Sequence, residues 1–169
     1  MTLVAAVVLA AGAATRYGGP KQRELLPDVL ARLQPTAVDF IVVVEGAYKL
    51  ELSSLRELSS RVSIVHADDW ERGPGASLRA GLVALGGDVT HALVVLADGP
   101  ELDPRSVERL LEHRNNGPVL AASYDGTRDH PVLLAREVWD LIPDEGGRAL
   151  DAQLIDCSDL RPPGDVDTR

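Results

Sequence analysis

The chain has 169 residues, of which 45% are hydrophobic, and a formal net charge of −9 at pH 7. This length allows one sizeable core, so a single domain over residues 1–169 is expected. The acidic balance argues against nucleic-acid polymers and anionic membranes as partners, because both require a basic face. A small anionic substrate is still allowed, provided that a local cationic pocket receives it.

The only cysteine, Cys157, excludes an internal disulfide and a cysteine-rich zinc site. The apolar N-terminal run lacks a basic flank and soon reaches Gly12 and Arg16, so it is interpreted neither as a signal peptide nor as a membrane span. We therefore expect a cytoplasmic protein that is a monomer or a weak homo-oligomer.

Short apolar runs that end in glycine or polar residues predict five buried strands, at Leu3–Leu9, Val38–Val44, Val62–Val65, Ala92–Ala97 and Val119–Ala122. Helical patterns lie between them, at Leu50–Leu58, Ala76–Leu85 and Ser106–Leu111. Asp103 and Pro104 precede the last helix as a cap and a first-turn proline. Alternating strands and helices predict a three-layer α/β sandwich with a mostly parallel sheet, which binds ligands beyond the carboxyl ends of its strands.

The C-terminal third is less regular. The sequence predicts a polar connector at Tyr124–His130, a short strand at Pro131–Leu134 and a helix at Glu137–Ile142. The proline- and glycine-containing tail, Arg161–Arg169, is expected to fray.

The first strand leads into a turn that is suited to phosphate. Ala10, Ala11 and Gly12 are small enough for the backbone to approach a polyphosphate, and Arg16 and Lys21 supply positive charge. The spacing is that of neither a P-loop nor a dinucleotide-binding loop. A glycine-rich loop without a ligand is the alternative interpretation.

Asp98 follows the Ala92–Ala97 strand, with Gly99 leaving room beside it. A carboxylate at this position can hold Mg²⁺, which prefers one or two carboxylates together with phosphate oxygens and water. The alternative is an aspartate that opens a turn or caps the next helix. Asp103 already fills the capping role, which favours the metal interpretation.

Gly73–Leu82 begins with glycines and enters a helix, so free backbone N–H groups point outward at its start and can bind a base or a phosphate. A simple capped helix, with Arg79 in solvent, explains the composition equally well.

Five segments, in order along the chain, resemble the MobA-like family of molybdenum-cofactor cytidylyltransferases and guanylyltransferases. Leu9–Lys21 is similar to the family's L-A-A-G-x-x-x-R-x-G-x-x-K signature, and Leu96–Leu102 to its L-A-D-x-P-x-L metal motif. The other three are Gly73–Leu82 (G-x-x-x-S-L-R-A-G-L), Asp129–Val132 (G-H-P-V, with Asp129 in place of glycine) and Asp165–Thr168 (D-(I/V)-D-T-P, with Arg169 in place of proline).

The resemblance implies a Rossmann-like nucleotide-diphospho-sugar transferase fold and a Mg²⁺-dependent nucleotidyltransferase. An acceptor oxygen would attack the α-phosphorus of a nucleoside triphosphate and displace pyrophosphate. The implied site residues are Arg16, Lys21 and Asp98 for catalysis, Leu9, Ala10, Ala11, Gly12, Gly75 and Ser77 for the nucleotide, His130 on the acceptor side, and Asp98, Asp165 and Asp167 for the metal.

Ala11 favours CTP, because family members that use GTP generally have glycine there. Molybdopterin is the first expectation for the small phosphorylated acceptor. Two other functions stay open, a sugar- or alcohol-phosphate nucleotidyltransferase of the same fold and a non-catalytic nucleotide-binding or cofactor-delivery module. For His130 a structural role is the alternative, and for Asp165 and Asp167 a solvated tail.

Overall fold

The computed structural model of the protein describes residues 2–12 and 21–164. Its strands are β1 (Val4–Ala10), β2 (Phe40–Glu45), β3 (Val62–His66), β4 (His91–Leu96), β5 (Val119–Tyr124), β6 (Thr127–Ala135) and β7 (Gln153–Asp156). Its α-helices are α1 (Lys21–Leu33), α2 (Leu52–Leu58), α3 (Pro74–Val83) and α4 (Pro104–Glu112). Short 3₁₀ helices lie at Trp70–Arg72, Arg136–Leu141 and Gly147–Ala149.

The strands form one sheet in the order β3-β2-β1-β4-β6-β5-β7. β1 to β4 are parallel to one another, β6 runs antiparallel to β4 and β5, and β7 is parallel to β5. The strand order reverses between β1 and β4, so the connections that leave these two strands diverge and open a crevice at their carboxyl ends. The predicted mostly parallel α/β fold is confirmed.

Two apolar layers cover the sheet. The central strands are short runs of valine, leucine and alanine because both of their faces are buried, as β1 illustrates with Ala5 and Val7 facing one layer and Ala6 and Val8 the other. The first layer packs α1, α2 and α4 against the sheet. The second packs α3 and the 3₁₀ helix that carries Trp139. The result is the expected three-layer sandwich.

Some elements differ from the sequence-based predictions. No helix was predicted at Lys21–Leu33, which contains Pro27, but its residues Leu26, Val29, Leu30 and Leu33 pack into the core. β7 was also missed, and Thr127–His130, predicted as part of a connector, belongs to β6. The predicted helix at Glu137–Ile142 is the 3₁₀ helix. Among the helices of the described ranges, none is long and apolar enough to cross a membrane.

The start of the C-terminal tail also differs from expectation. Pro163 is buried, and its carbonyl accepts a hydrogen bond from the backbone N–H of Glu101 at 2.9 Å. The Arg161 guanidinium lies 3.3 Å from the Glu101 carboxylate. As far as Gly164, the last described residue before the C-terminus, the tail therefore packs on the turn that follows β4 rather than fraying.

Candidate active site

A cleft made of three adjoining cavities lies over the carboxyl ends of β1 and β4. The Trp70 cavity, of about 280 Å³, is lined by Ala11, Gly12, Trp70 and Ser77 among others. The apolar cavity, of about 390 Å³, shares Leu9, Pro74 and Leu96 with it and continues along Leu78, Val94 and Val132. The tail cavity, of about 240 Å³, reaches Gly99 and Pro163 and shares Leu96, Arg128, Asp129, His130 and Arg148 with the apolar cavity.

The turn after β1 forms one wall of the Trp70 cavity. Ala11 is buried, and its carbonyl accepts a hydrogen bond from the Ala47 backbone N–H at 2.9 Å. A Cβ atom added to Gly46 would lie 2.7 Å from the Ala11 carbonyl oxygen and 2.7 Å from Cγ of Trp70. Gly46 thus lets the turn and the indole ring pack closely, and this close packing fixes the position of Ala11. Ala10 lies in the core, and Gly12 is exposed.

Gly75 and Ser77 differ in their surroundings, although both were assigned to the nucleotide. Ser77 is buried and lines the Trp70 cavity. The Gly75 N–H donates to the Asp144 carbonyl at 2.9 Å, and an added Cβ atom would lie 1.6 Å from the Pro143 carbonyl oxygen. The absence of a side chain at Gly75 therefore serves the docking of α3 on Pro143 and Asp144, and its N–H already has a protein partner.

Arg79 is held by the protein and is not a solvated side chain. Its guanidinium donates to the Ile142 carbonyl at 2.9 Å and to Oδ1 of Asp144 at 2.5 Å. Arg72 contacts Oδ2 of the same carboxylate at 3.2 Å. The hydrogen bond from Arg79, assisted by Arg72, lowers the pKa of Asp144. Through these contacts the loop that leads to Gly146 and Gly147 is attached to α3. Both glycines line the apolar cavity.

Asp98 stands two residues beyond β4 and is half-buried. The end of the described chain lies against the same turn, because a Cβ atom on Gly99 would be 3.1 Å from Cβ of Pro163 and 3.3 Å from the Gly164 carbonyl oxygen. Gly164 therefore lies beside the turn of Asp98. Among the described residues, no three His, Cys, Asp or Glu side chains converge in a way that could hold a metal ion.

Asp103 caps α4, as the sequence predicts. Its side chain accepts a hydrogen bond from the Arg105 backbone N–H at 2.9 Å, and its other oxygen contacts the Arg105 guanidinium at 2.8 Å. The hydrogen bond from the Arg105 side chain lowers the pKa of Asp103. Because Asp103 satisfies the helix N-terminus, Asp98 is not needed as its cap.

His130 lines both the apolar and the tail cavity. Its backbone N–H donates to Oδ1 of Asp129 at 2.7 Å, and its ring Nδ1 lies 3.7 Å from the same oxygen. Hydrogen bonding to His130 is the main reason why the pKa of Asp129 is lowered. Asp129, which departs from the family's glycine, thus holds the backbone that positions His130.

Four of the assigned positions cannot be placed from the structure. Arg16, Asp165 and Asp167 lie outside the described residues, as does the side chain of Lys21, whose backbone begins α1. Three residues that were not predicted from the sequence as site residues also line the cleft, namely Trp70, Arg128 and Arg148. The sequence contains a signal for the two arginines. Arg128 lies two residues before His130, and Arg148 directly follows Gly146 and Gly147.

Comparison with known proteins agrees with this geometry. The family model of the MobA-like NTP transferase domain matches residues 6–156. A search of curated proteins found no match. Rv0371c from Mycobacterium tuberculosis H37Rv superposes with a TM-score of 0.76 at 24% identity, covering 99% of this chain and 94% of that one. Its homologue from Mycobacterium sp. strain JC1 gives 0.76 at 26% identity, covering 98% and 90%.

A more distant structure, CMP:2-keto-3-deoxy-manno-octonic acid synthetase in complex with CTP, has a TM-score of 0.73 at 11% identity and covers 99% of this chain and 94% of that one. The similarity to this synthetase and to Rv0371c shows the fold. The family model shows the family, because it spans most of the chain and every strand except the first two residues of β1. The chain belongs to the MobA-like NTP transferase family and is a nucleotidyltransferase.

Proposed function

We propose that the protein transfers CMP from CTP to a small phosphorylated acceptor and releases pyrophosphate, with Mg²⁺ as its metal ion. The observation that carries the proposal is the continuous cleft across the carboxyl ends of β1 and β4, with the turn of Asp98 beside its tail cavity. It offers space for two substrates on either side of the point where strand order reverses. Molybdopterin is the first acceptor to test.

The nucleotide is assigned to the Trp70 cavity. The Ala10-Ala11-Gly12 turn and Ser77 line or border this cavity, and the indole of Trp70 offers an aromatic wall to a base. CTP is preferred because the turn has alanine at position 11, the variant of the motif associated with cytidylyl transfer. The related synthetase whose structure contains CTP supports this choice.

The donors at the turn of Asp98 suit magnesium. Asp98 offers one carboxylate at the turn on which Pro163 and Gly164 pack, and the family resemblance assigns Asp165 and Asp167, outside the described residues, as the further ligands. Mg²⁺ uses one or two carboxylates together with phosphate oxygens and water, so this donor set fits. A structure of Rv0371c contains manganese, a divalent ion of similar ligand preference. A bound divalent ion would neutralise triphosphate charge and polarise the α-phosphate.

Arg16 and Lys21 bind the β- and γ-phosphates and balance the charge on the departing pyrophosphate. The acceptor enters from the apolar cavity, where His130 and Asp129 line its path. An acceptor oxygen attacks the α-phosphorus in line, the bond to the bridging oxygen breaks, and pyrophosphate leaves. Alignment and charge neutralisation supply the rate enhancement, since no covalent intermediate is formed.

The test is pyrophosphate release over a panel of nucleoside triphosphates and phosphorylated acceptors, in the wild type and in Asp98→Asn. We expect CTP to be used best, and Asp98→Asn to reduce turnover about 100-fold because one carboxylate ligand is lost. Asp88→Asn, which makes the same change on an exposed loop, is the matched control and should retain activity.

Wild-type turnover in Asp98→Asn at saturating CTP would refute the metal assignment. CTP binding without pyrophosphate release for any acceptor would indicate a binding module.

A second prediction concerns Lys21, the first residue of α1. Lys21→Ala should weaken CTP affinity in calorimetry, because the variant loses one positive charge that binds the triphosphate.

A further inference from the structure

Two arginines converge on the boundary between the apolar and tail cavities. Arg128 lies on β6, and Arg148 lies on the 3₁₀ helix Gly147–Ala149. Each arginine lines the apolar cavity as well as the tail cavity, and neither lines the Trp70 cavity. In a chain with a net charge of −9, two cations at one cavity boundary are a local reversal of sign.

Arg128 is fixed in place by backbone carbonyls. Its guanidinium donates to the carbonyl of Leu150 at 2.7 Å and to that of Gly147 at 3.0 Å. Burial, and then the neighbouring charge of Arg148, lower the pKa of Arg128. Its hydrogen bonds within the described chain are to carbonyl oxygens, and the carboxylate of Asp151 acts on it only through a weaker electrostatic interaction without a close ion pair.

Arg148 is exposed and makes no hydrogen bond or ion pair within residues 2–12 and 21–164. The nearby carboxylate of Asp129 already accepts the N–H of His130. Other arginines of the protein are paired with carboxylates, namely Arg72, Arg79, Arg105, Arg109 and Arg161. The Arg148 guanidinium thus keeps its donors for a partner that enters the cleft.

Apart from Asp129 and His130 beside the two arginines, the lining of the apolar cavity carries no ionisable side chain. Its walls include Leu78, Val94 and Val132, so it suits a ligand body that is itself apolar or ring-shaped. A guanidinium fork at the rim of such a cavity binds a phosphate or carboxylate with two parallel hydrogen bonds, and more strongly there than in open water.

We propose that Arg148, supported by the fixed charge of Arg128, determines acceptor specificity by binding an oxyanion of the acceptor while the apolar walls hold its body. This inference rests on the proposed function, because it places the acceptor in that cleft. The two cations also offset the repulsion between an anionic acceptor and the triphosphate, so that both substrates can be bound together.

The test uses small probes and no nucleotide or metal. Phenyl phosphate and benzoate present a ring with an oxyanion, and benzyl alcohol presents the ring alone; their dissociation constants are measured by NMR titration. We expect both anions to bind the wild type more tightly than benzyl alcohol. Arg148→Gln should weaken both about tenfold, whereas Arg148→Lys, which keeps the charge but loses the fork, should be intermediate.

Arg56→Gln makes the same charge change on an exposed position of α2 and should leave all three constants unchanged. The proposal is overturned if neither anion binds, if benzyl alcohol binds as tightly, if Arg148→Gln retains wild-type affinity, or if Lys21→Ala alone abolishes binding, which would place the probes at the triphosphate site. A protein that binds the anions through Arg148 but releases no pyrophosphate from CTP would contradict the proposed function, and with it the acceptor role, while confirming the oxyanion site at Arg148.

Discussion

At the scale of single residues, Glu45 is a buried side chain at the carboxyl edge of the sheet with an incompletely satisfied carboxylate. It ends β2 between Ala10 and His66 on the neighbouring strands and is only 9% exposed. Among residues 2–12 and 21–164, no donor lies within hydrogen-bond distance of its Oε2, and Nδ1 of His66 is 3.7 Å away. A buried carboxylate oxygen without a donor loses its hydration without full compensation.

Glu45→Gln should therefore raise the free energy of unfolding by about 1 kcal/mol, because the amide is cheaper to bury than the charge. Urea denaturation measures this change. Glu57→Gln, on the exposed side of α2, is the control and should be neutral. A Glu45→Gln variant less stable than the control would show that the charge of Glu45 has a stabilising partner after all.

The sequence predicted where residues lie when a strand end or a helix start positions them, but not which residues contacts across the fold bring together in the cleft. Asp98 and Asp103 follow from local order, since one comes after a buried strand and the other precedes a helix. Arg128 and Arg148 meet only because β6 and the loop after Gly146 pack together. No local pattern encodes that contact.

At the scale of elements, the docking of α3 on the loop before Gly146 shapes the cleft. Gly75 allows the contact, and Arg79 with Arg72 adds the ion pairs to Asp144. Gly81, on the sheet side of α3, faces Val7 and Val44 at distances that leave no room for a Cβ atom. The small residues of α3 thus let it lie close to both the sheet and the loop.

Gly75→Ala should lower the free energy of unfolding by about 3 kcal/mol, because its methyl group would overlap the Pro143 carbonyl oxygen. Gly87→Ala is the matched control, since no atom lies within 4 Å of its added Cβ and the change should be nearly neutral. Urea denaturation followed by circular dichroism compares the two. Equal stability of the two variants would mean that α3 and the loop separate without cost.

Strands that are uninterrupted apolar runs were predictable, and strands that are short or largely polar were not. β1 and β4 appear in the sequence as uninterrupted apolar runs. β7 has only four residues, three of them exposed, so its sequence resembles a loop. The first half of β6 is polar, yet Asp125 and Gly126, both with positive φ, form the hairpin turn that a D-G pair favours. That signal was present and was not used.

At the scale of the whole molecule, ionisation limits stability at both ends of the pH range. Hydrogen bonds and nearby cations lower the pKa of several aspartates below the usual value of 3.8, namely Asp103, Asp129, Asp144 and Asp159. A group whose pKa is lowered by folding stabilises the fold when the pH is above its unfolded-state pKa. This contribution is lost as the pH falls through its folded-state pKa. Stability should therefore decrease on acidification below about pH 4.

The alkaline side depends on two groups whose pKa is raised by burial. The pKa of Tyr124 rises from 10.0 to about 12, and that of Cys157 rises above 9.0. As the pH passes their ordinary values, the unfolded chain releases these protons while the folded chain retains them, so the unfolded state is favoured. The free energy of unfolding therefore decreases progressively as the pH rises toward the raised folded-state pKa values of the two groups.

Burial lowers the pKa of His91 from 6.5, so protonation of the unfolded chain already reduces stability as the pH falls below about 6.5. The free energy of unfolding should thus be level between about pH 7 and pH 8 and fall on both sides, as measured by urea denaturation at a series of pH values. Tyr124→Phe tests the alkaline arm. It removes the hydrogen bond from the Tyr124 hydroxyl to the His130 carbonyl, so the plateau should be lower, but the decline between pH 10 and 12 should be shallower than in the wild type because one titrating group is gone. A wild-type curve that rises above pH 10, or the same alkaline slope in both proteins, would contradict the assignment of this decline to Tyr124.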